Sequence, residues 1–218
     1  MDNEQLYNDI KARTNGEIYI GVVGPVRTGK STFIKRFMDV MVLPRMEDVH
    51  GKDRTRDELP QSSSGKMIMT TEPKFVPKDA AVIRLNKDTE VKVRLIDCVG
   101  YMVKGAEGHE EGGKERLVRT PWFSEEIPFT KAAVIGTQKV IHDHATIGIV
   151  VTTDGSITEI PPENYLEAEE RTIKELQTIQ KPFVVLVNSK KPYGEEAKEK
   201  TEELEKRYGV CALAVNCE

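Results

Sequence analysis

Long apolar runs are missing from this 218-residue sequence. None approaches the roughly eighteen residues of a membrane-crossing helix, so no direct membrane insertion is expected, and any membrane contact would come through a partner. Cysteine is scarce. Cys98, Cys211 and Cys217 are the three present, no two have C-x-x-C spacing, and no secretory signal precedes them. They read as reduced thiols in a cytoplasm. A surplus of positive charge is lacking too: 32 Lys and Arg stand against 36 Asp and Glu, a net charge of −4. No basic field invites nucleic acid. The length suits one large α/β domain better than two small ones, with room for a sizeable core.

What is present is more telling. Gly24-Pro25-Val26-Arg27-Thr28-Gly29-Lys30-Ser31-Thr32 fits the P-loop pattern G-x-x-x-x-G-K-[ST]. In such a loop the glycines let backbone N–H groups turn inward around a triphosphate. Lys30 reaches the β- and γ-phosphates, and the Ser31 hydroxyl takes one Mg²⁺ position. The pattern carries weight only between a strand and a helix, and both are expected. Residues 18–23 form a short, mostly apolar run, as a buried parallel strand should. Phe33, Ile34, Phe37, Met38 and Met41 then recur at helical spacing until Pro44. The helix opens under the phosphates, where its positive dipole end favours anions.

Ahead of this unit, Leu6, Tyr7 and Ile10 predict a short N-terminal helix within residues 1–15. Behind it, residues 45–77 carry Pro60, Pro73, Pro77 and a Ser62-Ser63-Ser64-Gly65 run, with no clear periodicity. So long a loop suggests function. It leads to Thr70-Thr71, in the position where P-loop switches present a threonine to Mg²⁺ and the γ-phosphate. The plainer alternative is two threonines entering a strand. Strands at 80–85 and 91–97 follow, joined by Asn86-Lys87-Asp88. So short a connection makes them antiparallel neighbours. The second ends in Asp97-Cys98-Val99-Gly100, a D-x-x-G in which Asp97 holds Mg²⁺ through water and the Gly100 N–H approaches the γ-phosphate.

The order P-loop, threonines, hairpin, D-x-x-G resembles the GTPase-type class of P-loop proteins. The fold class expected is therefore α/β: a three-layer P-loop NTPase of the GTPase-like (TRAFAC) type, one domain over 1–218. Its sheet would be mostly parallel, with one antiparallel strand from the hairpin 80–97. Most small GTPases follow D-x-x-G with a glutamine that orients the attacking water. Here Tyr101 follows, and a phenol cannot accept and donate from separate atoms as an amide does. Arg27 either supplies positive charge near the phosphates or points into solvent.

Residues 101–128 read as a glycine-rich insertion ending in Thr120-Pro121-Trp122-Phe123. Its tryptophan is either a local anchor or a contact surface for a partner. A helix is expected over 130–144, with His142 and His144 facing different ways. Beyond it the pattern is regular βαβ: strands at 147–151, 183–187 and 210–215, and helices at 163–180 and 195–208, the last stopped by Gly209. A final strand with no following helix leaves part of the sheet uncovered. The chain would then be a piece of a longer protein, or something else would cover it.

GTPases read guanine with N-K-x-D after the strand equivalent to 183–187. Here Asn188-Ser189-Lys190-Lys191 stands in that place. Lys191 occupies the aspartate slot, and a lysine is a pure donor. Donor facing donor costs about 1–3 kcal/mol. Adenine offers an acceptor at N1 instead, so the loop argues for ATP over GTP; a loop that ignores the base is the alternative.

Several stretches together resemble the stage IV sporulation protein A family: the P-loop as written above, Asp57-Glu58-Leu59-Pro60-Gln61-Ser62, and Met69-Thr70-Thr71-Glu72-Pro73-Lys74-Phe75-Val76-Pro77. Leu95-Ile96-Asp97-Cys98-Val99-Gly100-Tyr101, Thr120-Pro121-Trp122 and Thr152-Thr153-Asp154-Gly155 match as well. The resemblance implies an ATP-hydrolysing protein of endospore-forming bacteria, made in the mother cell. It would self-assemble at the forespore surface as the basement layer of the spore coat, alongside other coat proteins. It also implies middle and C-terminal regions beyond this domain, the latter meeting a small amphipathic membrane-bound peptide. On family analogy Lys30 is the P-loop lysine, Thr70 and Thr71 the sensor threonines, and Asp97 the metal aspartate, with ATP and Mg²⁺ as ligands. A GTP-driven switch and a nucleotide-bound structural module without turnover are the competing readings.

Overall fold

The structure, a computed structural model, describes residues 16–60, 72–84 and 90–218. The expected N-terminal helix, the Thr70-Thr71 pair and the turn Asn86-Lys87-Asp88 lie outside them. Strand β1 (Glu17–Val23) alternates strictly: Ile18, Ile20 and Val22 belong to one buried cluster, and Val23, with half-buried Tyr19, to the other. Period-two alternation of this kind, apolar on both faces, places a strand between two helical layers. Helix α1 (Lys30–Phe37) continues through a π-helical turn, Met38–Val42, and a 3₁₀ turn, Leu43–Arg45, that contains Pro44. Its Ile34, Met38 and Val42 are wholly buried on the Ile18–Val22 side. Side chains of this kind contribute about 1.5–3 kcal/mol each when fully buried.

The stretch expected as one aperiodic loop contains a helix, α2 (Val49–Asp57). Thr55 is its one buried side chain, so it has no apolar stripe to announce it in the sequence. Asp48 caps it by accepting from the His50 N–H at 3.1 Å. Strand β2 (Lys74–Arg84) starts six residues before the expected 80 and pairs antiparallel with β3 (Glu90–Asp97), with a register shift between Val76 and Ala81. Pro77 falls at that irregularity on an edge strand, where the missing N–H does no harm.

Four two-residue strands follow, β4 (Glu110–Glu111) with β5 (Lys114–Glu115), and β6 (Leu117–Val118) with β7 (Ile127–Pro128). Helix α3 (Phe129–Lys139) runs on into a π-helical turn at Val140–His144. Strand β8 (Ile147–Thr153), helix α4 (Leu166–Thr178, entered by a 3₁₀ turn at Pro162–Tyr165), strand β9 (Phe183–Asn188), helix α5 (Glu195–Tyr208) and strand β10 (Ala212–Val215) close the order. The main sheet runs β10-β9-β8-β1-β3-β2, parallel throughout except for the β2–β3 pair. Residues of α1 cover one face, and those of α3 and α4 cover the other. The result is the three-layer α/β fold expected. It brings the carboxyl ends of β1, β3, β8 and β9 together along one edge, where such folds bind ligands.

Candidate functional site

The loop after β1 closes back on itself. Thr28 Oγ1 donates to the Pro25 carbonyl at 3.0 Å, and Lys30 Nζ donates to the same oxygen at 2.5 Å. Gly29 caps α1 with φ 89°, a left-handed conformation that glycine takes without penalty. Burial lowers the Lys30 ammonium below its ordinary value, while nearby Cys98 and Asp97 oppose the shift. It hydrogen-bonds a carbonyl of the loop itself, an acceptor that a phosphate oxygen can replace.

Asp97, at the end of β3, faces the first turn of α1. The Ser31 hydroxyl donates to its Oδ2 at 2.6 Å. Its Oδ1 is buried and has no hydrogen-bond partner among the described residues. Burial raises the carboxyl's pKa, and the Ser31 hydrogen bond and Lys30 pull against that rise. A hydroxyl and a carboxylate with a spare oxygen, side by side, are hard donors of the kind magnesium takes. They fit the metal that the sequence implies.

The D-x-x-G loop is fastened to the P-loop. Val26 N–H donates to the Tyr101 carbonyl at 2.8 Å, and Tyr101 N–H to the Gly24 carbonyl at 3.2 Å. Between these bonds sits Gly100, at φ 92°. A Cβ on it would lie 2.2 Å from the Gly24 carbonyl oxygen and 2.6 Å from Lys30 Nζ. No other residue fits there. Lys30, Gly100, Ser31 and Asp97, singled out from the sequence, thus form one cluster.

The base-side residues are arranged differently. Asn188 is buried at the end of β9; its Nδ2 donates to the Thr28 carbonyl at 3.0 Å, and its Oδ1 accepts from the Cys217 N–H at 3.1 Å. A Cβ on Gly29 would meet that amide at 2.4 Å. Asn188 therefore supports the P-loop from β9, two strands away from β1. Lys190 and Lys191 are exposed, and their backbone N–H groups are held by Ser156 Oγ and Ser189 Oγ, each at 3.0 Å. Thr32 is half-buried in the first turn of α1, and Val26 is in the core. Arg27, with φ 65°, donates to the Glu107 carbonyl of the insertion at 3.3 Å, so one of its contacts leads away from the loop rather than into it. Thr70 and Thr71 lie outside the described residues.

Tyr101 is the residue that the sequence reading placed least well. It is 2% exposed, its hydroxyl donates to Glu175 of α4, and the Arg171 guanidinium lies 4.1 Å over its ring. Burial and the Glu175 carboxylate raise its pKa far above the ordinary phenol value. Nothing local signals this, because the two partners are 74 positions apart. Trp122 has a neighbour as well: Lys139 Nζ sits 5.7 Å from its ring centroid.

A family model described as "Stage IV sporulation protein A, ATPase domain" matches residues 1–218. Stage IV sporulation protein A of Clostridioides difficile (strain 630) is 58% identical over 214 residues, 98% of this chain and 44% of that protein. The proteins of the same name from Bacillus anthracis and Bacillus subtilis (strain 168) are each 50% identical over 218 residues, all of this chain and 44% of theirs. The chain therefore spans less than half the length of these relatives. A solved variant of SsGBP superposes with a TM-score of 0.47 at 14% identity, over 98% of this chain and 53% of that one, too distant a likeness to carry weight.

Proposed function

We propose that this chain, which belongs to the Stage IV sporulation protein A family through its ATPase domain, binds ATP and hydrolyses it in a P-loop site of the GTPase-like class. The cluster of Lys30, Gly100, Ser31 and Asp97 carries the reading. Lys30 exchanges the Pro25 carbonyl for phosphate oxygens, and the N–H groups at the start of α1 turn toward the same charge. Gly100 leaves room beside Lys30, where the terminal phosphate would lie. Magnesium, held by Ser31 and Asp97 with Thr71 as the expected third contributor, would supply charge neutralisation on the phosphates. The antiparallel edge pair β2–β3 leading into Asp97 supports the GTPase-like class. ATP is preferred to GTP because Lys191 stands where guanine needs an acceptor.

The full-chain family match also supports an extension to the longer protein. In that protein, turnover drives self-assembly as the basement layer of the spore coat at the forespore surface, in the mother cell. Other coat proteins and a small amphipathic membrane-bound peptide are its partners, the peptide through the C-terminal region.

Turnover of ATP and GTP, measured side by side with Lys30→Ala, tests the site. We expect ATP to be the better substrate, and the variant to lose at least about tenfold in binding or turnover, or 1.4 kcal/mol. Unchanged hydrolysis in the variant would falsify the assignment. Replacing both Thr70 and Thr71 by Ala should leave binding in place while hydrolysis and ATP-dependent polymerisation fall; normal assembly without hydrolysis would discard the switch. A second reading, a nucleotide-bound module without turnover, is favoured by one observation. The Tyr101 hydroxyl is taken by Glu175 and does not reach toward the phosphates.

A further inference from the structure

The residue in the place of the water-orienting glutamine has three anchors. Its N–H and carbonyl bind Gly24 and Val26, on either side of Pro25. Its side chain leaves the site and ends on Glu175 of α4. The carboxylate it meets is itself held, since Arg171 Nε donates to Glu175 Oε1 at 3.1 Å while the same guanidinium stacks on the tyrosine ring. An ordinary core tyrosine needs one partner for its hydroxyl. This one sits in a closed triangle in which each of the three side chains touches the other two. The preceding residue, Gly100, has no freedom of its own, being packed between the Gly24 carbonyl and Lys30 Nζ. Movement of the Tyr101 backbone is therefore movement of Gly100 and of the first half of the P-loop.

We infer that Tyr101, clamped by Glu175 and Arg171, is a positioning residue that holds the Gly100 backbone beside the terminal phosphate of the bound nucleotide and ties that loop to α4. This rests on the reading of the site as a triphosphate site and adds to it what discriminates a triphosphate from a diphosphate. Tyr101 does not orient water. The consequence is mechanical: the loop that meets the terminal phosphate is joined by one side chain to a helix that also carries the ion pairs of Glu170 with Lys174 and Arg207. A change in the terminal phosphate reaches α4 without passing through residues 45–77.

The test uses the full-length protein and compares affinities for ADP and for a non-hydrolysable ATP analogue, together with turnover. The variants are Tyr101→Phe, Tyr101→Gln, Glu175→Ala and Glu175→Gln. Loss of the clamp in Tyr101→Phe or Glu175→Ala should reduce the preference for the ATP analogue over ADP by about tenfold, with ADP affinity kept within about twofold. Turnover should fall with the preference. Glu175→Gln keeps a carbonyl acceptor for the phenol and should restore most of both. Glu175 is half-buried, outside the core that holds Tyr101, so its variants keep the question open to measurement even where Tyr101 variants lose stability. An unchanged preference in both Tyr101→Phe and Glu175→Ala overturns the inference. So does an equal loss of ADP and analogue affinity, which marks a tyrosine needed only for the fold. Faster turnover in Tyr101→Gln would show a water-orienting slot and overturn it as well. A wild-type protein that binds neither nucleotide would instead overturn the nucleotide reading itself.

Discussion

Between Gly24 and Ser31 the chain is held by its own backbone and by buried polar groups; between 104 and 128 it is held by short ladders and exposed pairs. In the first region, the carbonyls of Gly24 and Thr28 accept from Tyr101 and Asn188, that of Pro25 accepts from Thr28 and Lys30 within the loop, and Thr28 and Lys30 are buried. In the second, β4 to β7 are two residues each, and Arg119 pairs with Glu126 while 87% and 48% of their side chains stay exposed. Both regions bend through glycines with positive φ. The difference lies in what surrounds those glycines. A loop shaped by contacts on every side has one geometry, which a phosphate site requires, whereas a loop shaped by turns and local ladders tolerates change.

The largest expected effect comes from pressing one methyl against the first region. Gly100→Ala combines a left-handed backbone with a Cβ 2.2 Å from a carbonyl oxygen, so we expect a loss of about 3 kcal/mol or more in urea unfolding, and loss of ATP binding. Asn188→Ala comes next. It strands the buried Thr28 carbonyl and Cys217 N–H, at a cost of about 1–3 kcal/mol, and should weaken nucleotide binding although Asn188 supports the loop from behind. The same methyl in the insertion should do little. Gly112 has φ 59° with nothing within 4 Å of the added carbon, so Gly112→Ala should cost about 1 kcal/mol and leave ATP affinity unchanged. Smallest of all, Arg119→Ala should change stability by less than about 1 kcal/mol, since the pair it breaks is exposed. Equal losses for Gly100→Ala and Gly112→Ala would erase the distinction between the regions.

The elements that the sequence named well are those with a local signature. The apolar run at 18–23, the second hairpin strand and the charged helix ending at Gly209 lie where hydrophobic pattern and turn chemistry put them. The elements it missed lack one. Helix α2 has no apolar face, and the extra length of β2 runs through Pro77, which a central strand would not admit. The spacing puts Lys190 and Lys191 at the base, and where a lysine side chain goes is decided by what stands opposite it. Here both are exposed, with their N–H groups fixed by serines.

By itself the sequence determined the pattern of residues on which the proposed phosphate site rests. The pattern G-x-x-x-x-G-K-[ST] is eight consecutive residues, whose glycines act through the backbone and whose lysine and serine act through side chains within the first turn of one helix. It determined equally that Asp97 ends a strand. Only the tertiary structure decided how those pieces are held. Asn188 reaches Thr28 across 160 positions, and Tyr101 reaches Glu175 across 74. Such pairs leave no period or spacing in the chain, because they exist only once the parallel sheet has brought the ends of β1, β3 and β9 to one edge and laid α4 beside them.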